Sequence, residues 1–102
     1  MSYRPAAGNS RPAPFPLPMD EITWRRVSEK LALSGQQLRI VELILRGRQD
    51  KEIAEELSVS FHTVRTYLRR IFDRTKVTDR IGLVLHIFAL AQAEAQTECH
   101  HQ

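Results

Sequence analysis

Residues 50–68 read DKEIAEELSVSFHTVRTYL, and their spacing decides the architecture of the chain. Ile53, Leu57, Val59, Val64 and Leu68 are the apolar positions, while Ala54 is small enough to let a second helix cross closely over the first. Ser58-Val59-Ser60 punctuates the stretch as a tight turn, and Ser60 is a good N-cap for a helix of 61–75. This is the internal spacing of a helix-turn-helix. At 100° per residue, Val64, Leu68, Ile71 and Thr75 fall within about 60° of one another on the second helix. His62, Arg65, Thr66, Arg69 and Asp73 fall within about 100° on the roughly opposite face. One side packs inward and the other offers guanidiniums, an imidazole and a hydroxyl.

Working outward, Asp50 is the expected cap of a short helix holding Ile53, Ala54 and Leu57. Before it, Ser34 and Gln37 have the spacing of a capping box, in which each side chain receives the other residue's amide. That helix turns Leu38, Val41, Ile44 and Leu45 inward and stops at Gly47, the expected residue past its C-cap. Asp20 opens an earlier helix of 21–31 with Trp24, Val27 and Leu31 on one side. Thr78 is expected to open the last helix, which runs to Ala91 before a polar tail. All five prolines lie between Pro5 and Pro18, so residues 1–18 read as a flexible, disordered arm and the other 84 residues as proline-free helix. The resulting division is an arm at 1–18, an N-terminal helix at 19–32, a helix-turn-helix domain at 33–92 and a polar tail at 93–102.

Composition bounds the function. A chain of 102 residues, 42% hydrophobic and 26% charged, suits one small all-α domain. At this size roughly 60–65% of the unfolded chain's surface becomes buried. The net charge of +3 is uneven: residues 61–76 carry five Lys/Arg against one Asp, which exceeds the whole excess. Such a compact basic segment is the electrostatic footprint of a phosphate-binding surface. Cys99 is the only cysteine, which rules out an intrachain disulfide and points to a reducing, cytoplasmic setting. The longest apolar run, 81–91, is interrupted by His86 and is too short to span a bilayer. Cys99-His100-His101 lacks a partner set at helical spacing and is read as no metal site. No glycine-rich phosphate loop, paired-carboxylate cleft or nucleophile–base pair is present, so no cofactor and no enzyme activity are expected.

The set of motifs from Leu33 to Phe88 resembles the DNA-binding domain of the LuxR/FixJ (GerE-type) transcription regulators. It comprises Leu33-Ser34, Gly47, Lys51-Glu52-Ile53-Ala54, Leu57-Ser58-Val59-Ser60, Thr63-Val64-Arg65, Ile71, Val77 and Arg80, in that order. The resemblance implies a four-helix unit whose third helix enters the major groove and whose fourth mediates dimerisation. The chain then has an extra N-terminal helix and a Pro-rich arm in front of that unit. Arg65, Thr66 and Arg69 match base- and backbone-contacting positions, and Lys51 and Thr63 match phosphate-contacting ones. Five positions depart from the pattern: Gly35 for Pro, Gln37 for Glu, Asp50 for Asn, Tyr67 for His and Thr75 for Leu. A buried hydroxyl at Thr75 needs a backbone partner or costs about 1–3 kcal/mol.

The residues and the resemblance together give the expected DNA-binding set: Lys51, Ser60, His62, Thr63, Arg65, Thr66, Arg69, Arg70, Arg74 and Lys76. Arg70 and Arg74 point further round the helix, towards phosphates. The last helix is apolar over roughly 220°, where a helix lying on one core shows little more than 100°. Two covers compete, and both can hold: it pairs with its copy in a second chain through Gly82, Leu85, His86, Ala89 and Ala93, or Trp24, Val27 and Leu31 fold back over it. The expected function is sequence-specific double-stranded DNA binding by a homodimeric bacterial transcription regulator reduced to its DNA-binding domain. Two alternatives stand beside it. One is an interaction module acting on a regulatory protein or polymerase through Trp24 and the last helix. The other, a sigma-factor unit for the promoter −35 element, is disfavoured because no room remains for a promoter-melting domain.

Overall fold

The computed structural model describes the backbone of residues 16–99 and the side chains of residues 16–95. Within that range there are five α-helices and no strands: α1 (Glu21–Leu31), α2 (Gly35–Leu45), α3 (Asp50–Leu57), α4 (Phe61–Thr75) and α5 (Arg80–Cys99). The expected arm falls mostly outside the described residues, as do the side chain of Cys99 and both terminal histidines.

Local chemistry starts and stops these helices. Asp20 accepts from the Thr23 amide at 2.8 Å and caps α1. The capping box of α2 is formed as the sequence predicts, with Gln37 N donating to Ser34 Oγ and Ser34 N to Gln37 Oε1. Gly47 follows the α2 C-cap with φ 86°, a left-handed conformation that a side chain disfavours. Ser60 accepts from Thr63 N at 3.0 Å and starts α4.

Three boundaries differ from expectation. Gln49, not Asp50, is the N-cap of α3, and its amide donates to Glu52 Oε1 at 2.9 Å. Asp50 has moved one place into the helix because its carboxylate is taken by Arg80, at 2.5 Å. Asp79, not Thr78, caps α5, accepting from Gly82 N at 2.8 Å. A Cβ on Gly82 would approach that carboxylate to 3.1 Å, so the small residue here serves the cap. Finally, α5 continues through the expected polar tail as far as Cys99. No breaker follows Gly82, and Glu94 in the extension pairs with Lys30 of α1 at 3.1 Å and Arg26 at 3.9 Å.

The core gathers one stripe from every helix. Val27 of α1, Ile40 and Val41 of α2, Ile53 of α3, Val64 and Ile71 of α4 and Leu83 and Ile87 of α5 have no exposed surface. Burying each such side chain contributes about 1.5–3 kcal/mol relative to leaving it in water. The inward face of α4 is the predicted one: Val64, Leu68, Ile71 and Thr75 are all buried. Thr75 has its backbone partner, since its hydroxyl donates to Ile71 O at 2.8 Å. Packing of α1 on α5 buries Val27 and Leu31, with Trp24 half-buried beside them. The fold-back expected as one of two covers for the last helix is therefore present.

Candidate nucleic-acid interface

Seating Val64, Leu68 and Ile71 in the core fixes the rotation of α4 about its axis, and that rotation turns the basic residues outward. His62, Arg65, Arg69 and Arg70 are exposed, and Thr66 is half-buried at the edge of the same face. Among the described residues, no carboxylate forms an ion pair with Arg65, Arg69 or Arg70. The acidic side chains pair with other cations instead. Glu42 binds Arg46 and Arg39, Glu56 binds Arg39, and Glu52 binds Arg48. Three exposed guanidiniums on the outer side of one helix, none of them in an ion pair among the described residues, leave positive charge available to an anion.

The turn that sets α3 against α4 is built from Ser58 in the left-handed region (φ 58°) and from Val59 N donating to Ala54 O at 3.0 Å. Ala54 is buried where the two helices cross, as its size predicts. Arg80 clamps the start of this unit: it donates to Asp50 Oδ1 and to the carbonyl of Arg48. A groove of about 510 Å³ lies between α4 and the start of α5, walled by Arg65, Arg69 and Arg80 and by Asp50, Asp73 and Asp79.

The other expected contact residues divide into three groups. Ser60 and Thr63 lie together at the N-terminus of α4, their hydroxyl oxygens 2.9 Å apart, where unsatisfied amides favour a phosphate. Lys51 and Lys76 are exposed, at the start of α3 and the C-cap of α4. Arg74 stands apart: its Nη2 donates to Ala32 O at 2.8 Å, a contact inside the chain that α4 alone does not reveal. Sequence reasoning missed Phe61, which is exposed at the first position of α4 with the Arg65 guanidinium 5.7 Å over its ring. The signal was available, because an aromatic four residues before an arginine is one helical turn away.

On α5, the residues expected at a dimer contact are not alike. Leu85, Ala89 and Ala93 are exposed, whereas Gly82 and His86 are half-buried. The apolar arc is split between the core and solvent, and its open half runs through Ile81 (70% exposed), Leu85 (63%) and Phe88 (40%). Among the described residues no helix is long and apolar enough to cross a membrane, and no cluster of His, Cys, Asp or Glu is arranged to hold a metal ion.

Comparison with known proteins agrees with this architecture. Residues 31–87 match the family described as bacterial regulatory proteins, luxR family. The transcriptional regulatory protein DesR of Bacillus subtilis (strain 168) is 39% identical over 57 residues, which are 56% of this chain and 29% of that protein. The monoamine regulon transcriptional regulator of Klebsiella aerogenes is 40% identical over 52 residues, 51% of this chain and 23% of the relative. The transcriptional regulatory protein LiaR of B. subtilis is 39% identical over 49 residues, 48% and 23% of the two chains. The shared stretch is thus less than a third of each of these relatives. No solved structure is significantly similar. Five helices, the turn at Ser58 and the match over residues 31–87 place the chain in the luxR family of bacterial regulatory proteins, through a helix-turn-helix domain of the DNA-binding, transcription-regulating kind.

Proposed function

We propose that the chain binds double-stranded DNA sequence-specifically in the cytoplasm of a bacterium, with α4 in the major groove. The observation that carries this reading is the outward row of Arg65 and Arg69, exposed and free of acidic partners, on a helix whose other side is seated in the core. In the groove a guanidinium forks onto guanine O6 and N7, and the Thr66 methyl meets a thymine methyl. His62 stands at the leading end of the same face. Ser60, Thr63, Lys51, Arg70 and Lys76 bind phosphates, which orient the domain without choosing sequence. Arg74 contributes by holding α4 against α1.

The unit works as a homodimer through the open side of α5, where Leu85 and Ala89 stand beside Ile81 and Phe88. One domain makes few base contacts, and linking two multiplies affinity. Two-fold docking then requires an inverted repeat with half-sites about one helical turn apart.

Fluorescence anisotropy on a duplex selected from a random pool, against random duplexes, tests the assignment. Arg65→Ala is expected to cost about 1–3 kcal/mol and relax one base preference, while Arg70→Ala weakens all duplexes alike. A dimer making six to ten phosphate contacts loses about 10³–10⁵ in affinity between 50 and 200 mM salt. Unchanged binding by the Arg65 variant would remove α4 from the groove.

A further inference from the structure

We infer that Phe61 is a positioning residue for base recognition: its ring holds the Arg65 guanidinium ready for the groove. The inference rests on the placement of α4 proposed above. Phe61 is the first residue of α4 and 49% exposed, so half of a large ring stands in water. The cap is supplied by the Ser60 hydroxyl, and the buried side of α4 begins with Val64. What the ring does contact is Arg65, whose Cζ lies 5.7 Å over the ring centroid.

An arginine and an aromatic face at this separation attract through the charge and the ring quadrupole. The geometry suits base reading because guanidinium uses its two surfaces independently. Its charge sits over the ring, and its edge keeps the N–H fork that a guanine accepts. A free arginine gives up rotamer freedom when it docks, whereas a stacked one has given up part of it beforehand. Arg69, one turn further along the same row, has no ring contact among the described residues. The two arginines therefore differ: Arg65 is the pre-oriented reader, and Arg69 the more adaptable one.

The test is a double-mutant cycle read by anisotropy, using the selected duplex and single-base-pair variants of it. Phe61→Ala is expected to weaken the selected duplex about two- to fivefold. It should lower discrimination at the base pair that Arg65→Ala relaxes and leave discrimination elsewhere intact. Phe61→Tyr keeps both properties because it keeps a π face, while Phe61→Leu, which keeps bulk without one, behaves as the alanine variant. In the Arg65→Ala background, Phe61→Ala should cost nothing further. An equal loss in both backgrounds, or full recovery by leucine, overturns the inference, since the ring would then be touching DNA itself. The ring-current shift of the Arg65 side-chain protons in the DNA-free protein separates the two claims. If that shift is present and lost in Phe61→Ala while Arg65→Ala leaves binding unchanged, the stack is real but the groove placement fails. If no shift is present, positioning fails whatever the DNA result.

Discussion

Arg74, in the last turn of α4, donates to the carbonyl oxygen of Ala32 at 2.8 Å across 42 residues of sequence. Ala32 is the C-cap of α1 and lies in the left-handed region, φ 54°. Carbonyls at a helix C-terminus carry unsatisfied lone pairs and the negative end of the helix dipole, so a guanidinium there is favoured twice. The helix that would read DNA thereby closes the end of a helix lying almost wholly outside the family match, which begins at residue 31. Three attachments hold α1: this bond, the buried Val27 and Leu31, and the pairing of Glu94 with Lys30 and Arg26.

Replacing Arg74 by alanine is expected to lower global stability by about 0.5–1.5 kcal/mol, the range for one hydrogen bond. Urea denaturation measures the loss. Hydrogen exchange locates it: amides in the last turn of α1 should exchange faster, with those of α3 little changed. Uniform acceleration along the chain would mean the bond does not secure α1 in particular.

Lys76 caps α4 in the left-handed region, φ 61°, where a non-glycine residue is strained. Lys76→Gly is expected to stabilise the fold by about 0.5–1 kcal/mol. If the lysine also contacts a phosphate, the same change weakens DNA binding and lowers the salt slope by about one. Opposite signs from thermal melting and from a salt titration are the expected pair of results.

Leu85 is 63% exposed on the open side of α5. Leu85→Asp should leave the folded monomer intact, because little packing is lost, yet place a charge in any apolar contact between two copies. Sedimentation is expected to show dimer becoming monomer, with affinity for a two-half-site duplex falling to that of one half-site. A dimer that survives the aspartate would have to use another surface.

The Asp20 carboxyl is held below its usual range, chiefly by the Thr23 backbone amide and then by the Thr23 side chain, with weak desolvation opposing them and Arg26 adding the smallest contribution. Its folded value lies below its unfolded one. The cap therefore contributes fully above about pH 4 and fades as pH falls through the folded value. The Thr23 amide resonance should follow that titration. Asp20→Asn, which caps without ionising, should abolish the pH dependence and keep α1.

Much of the fold was legible because it is locally encoded. The Ser34–Gln37 exchange, the left-handed Gly47, the Ser60 cap and the inward side of α4 all depend on residues within about one turn of each other. The errors share one cause. Asp50 has the better capping propensity, but Arg80 occupies its carboxylate from 30 residues away, and Gln49 caps instead. The polar tail looked like a helix stop, and yet Glu94 finds Lys30 only after α1 folds back. The bond from Arg74 to Ala32 was hidden for the same reason, since its partner belongs to another helix.

From its own order of residues, the chain determined five helical segments, the turn at residues 58–60 and which edge of the second helix-turn-helix segment is basic. Those follow from periodicity and capping, whose interactions reach only three or four positions along the backbone. Tertiary structure decided which half of α5 is covered, which cations remain open to an anion and which are spent inside the molecule. A side chain's availability depends on what folding brings near it, and such neighbours are set by the packing of all five helices at once.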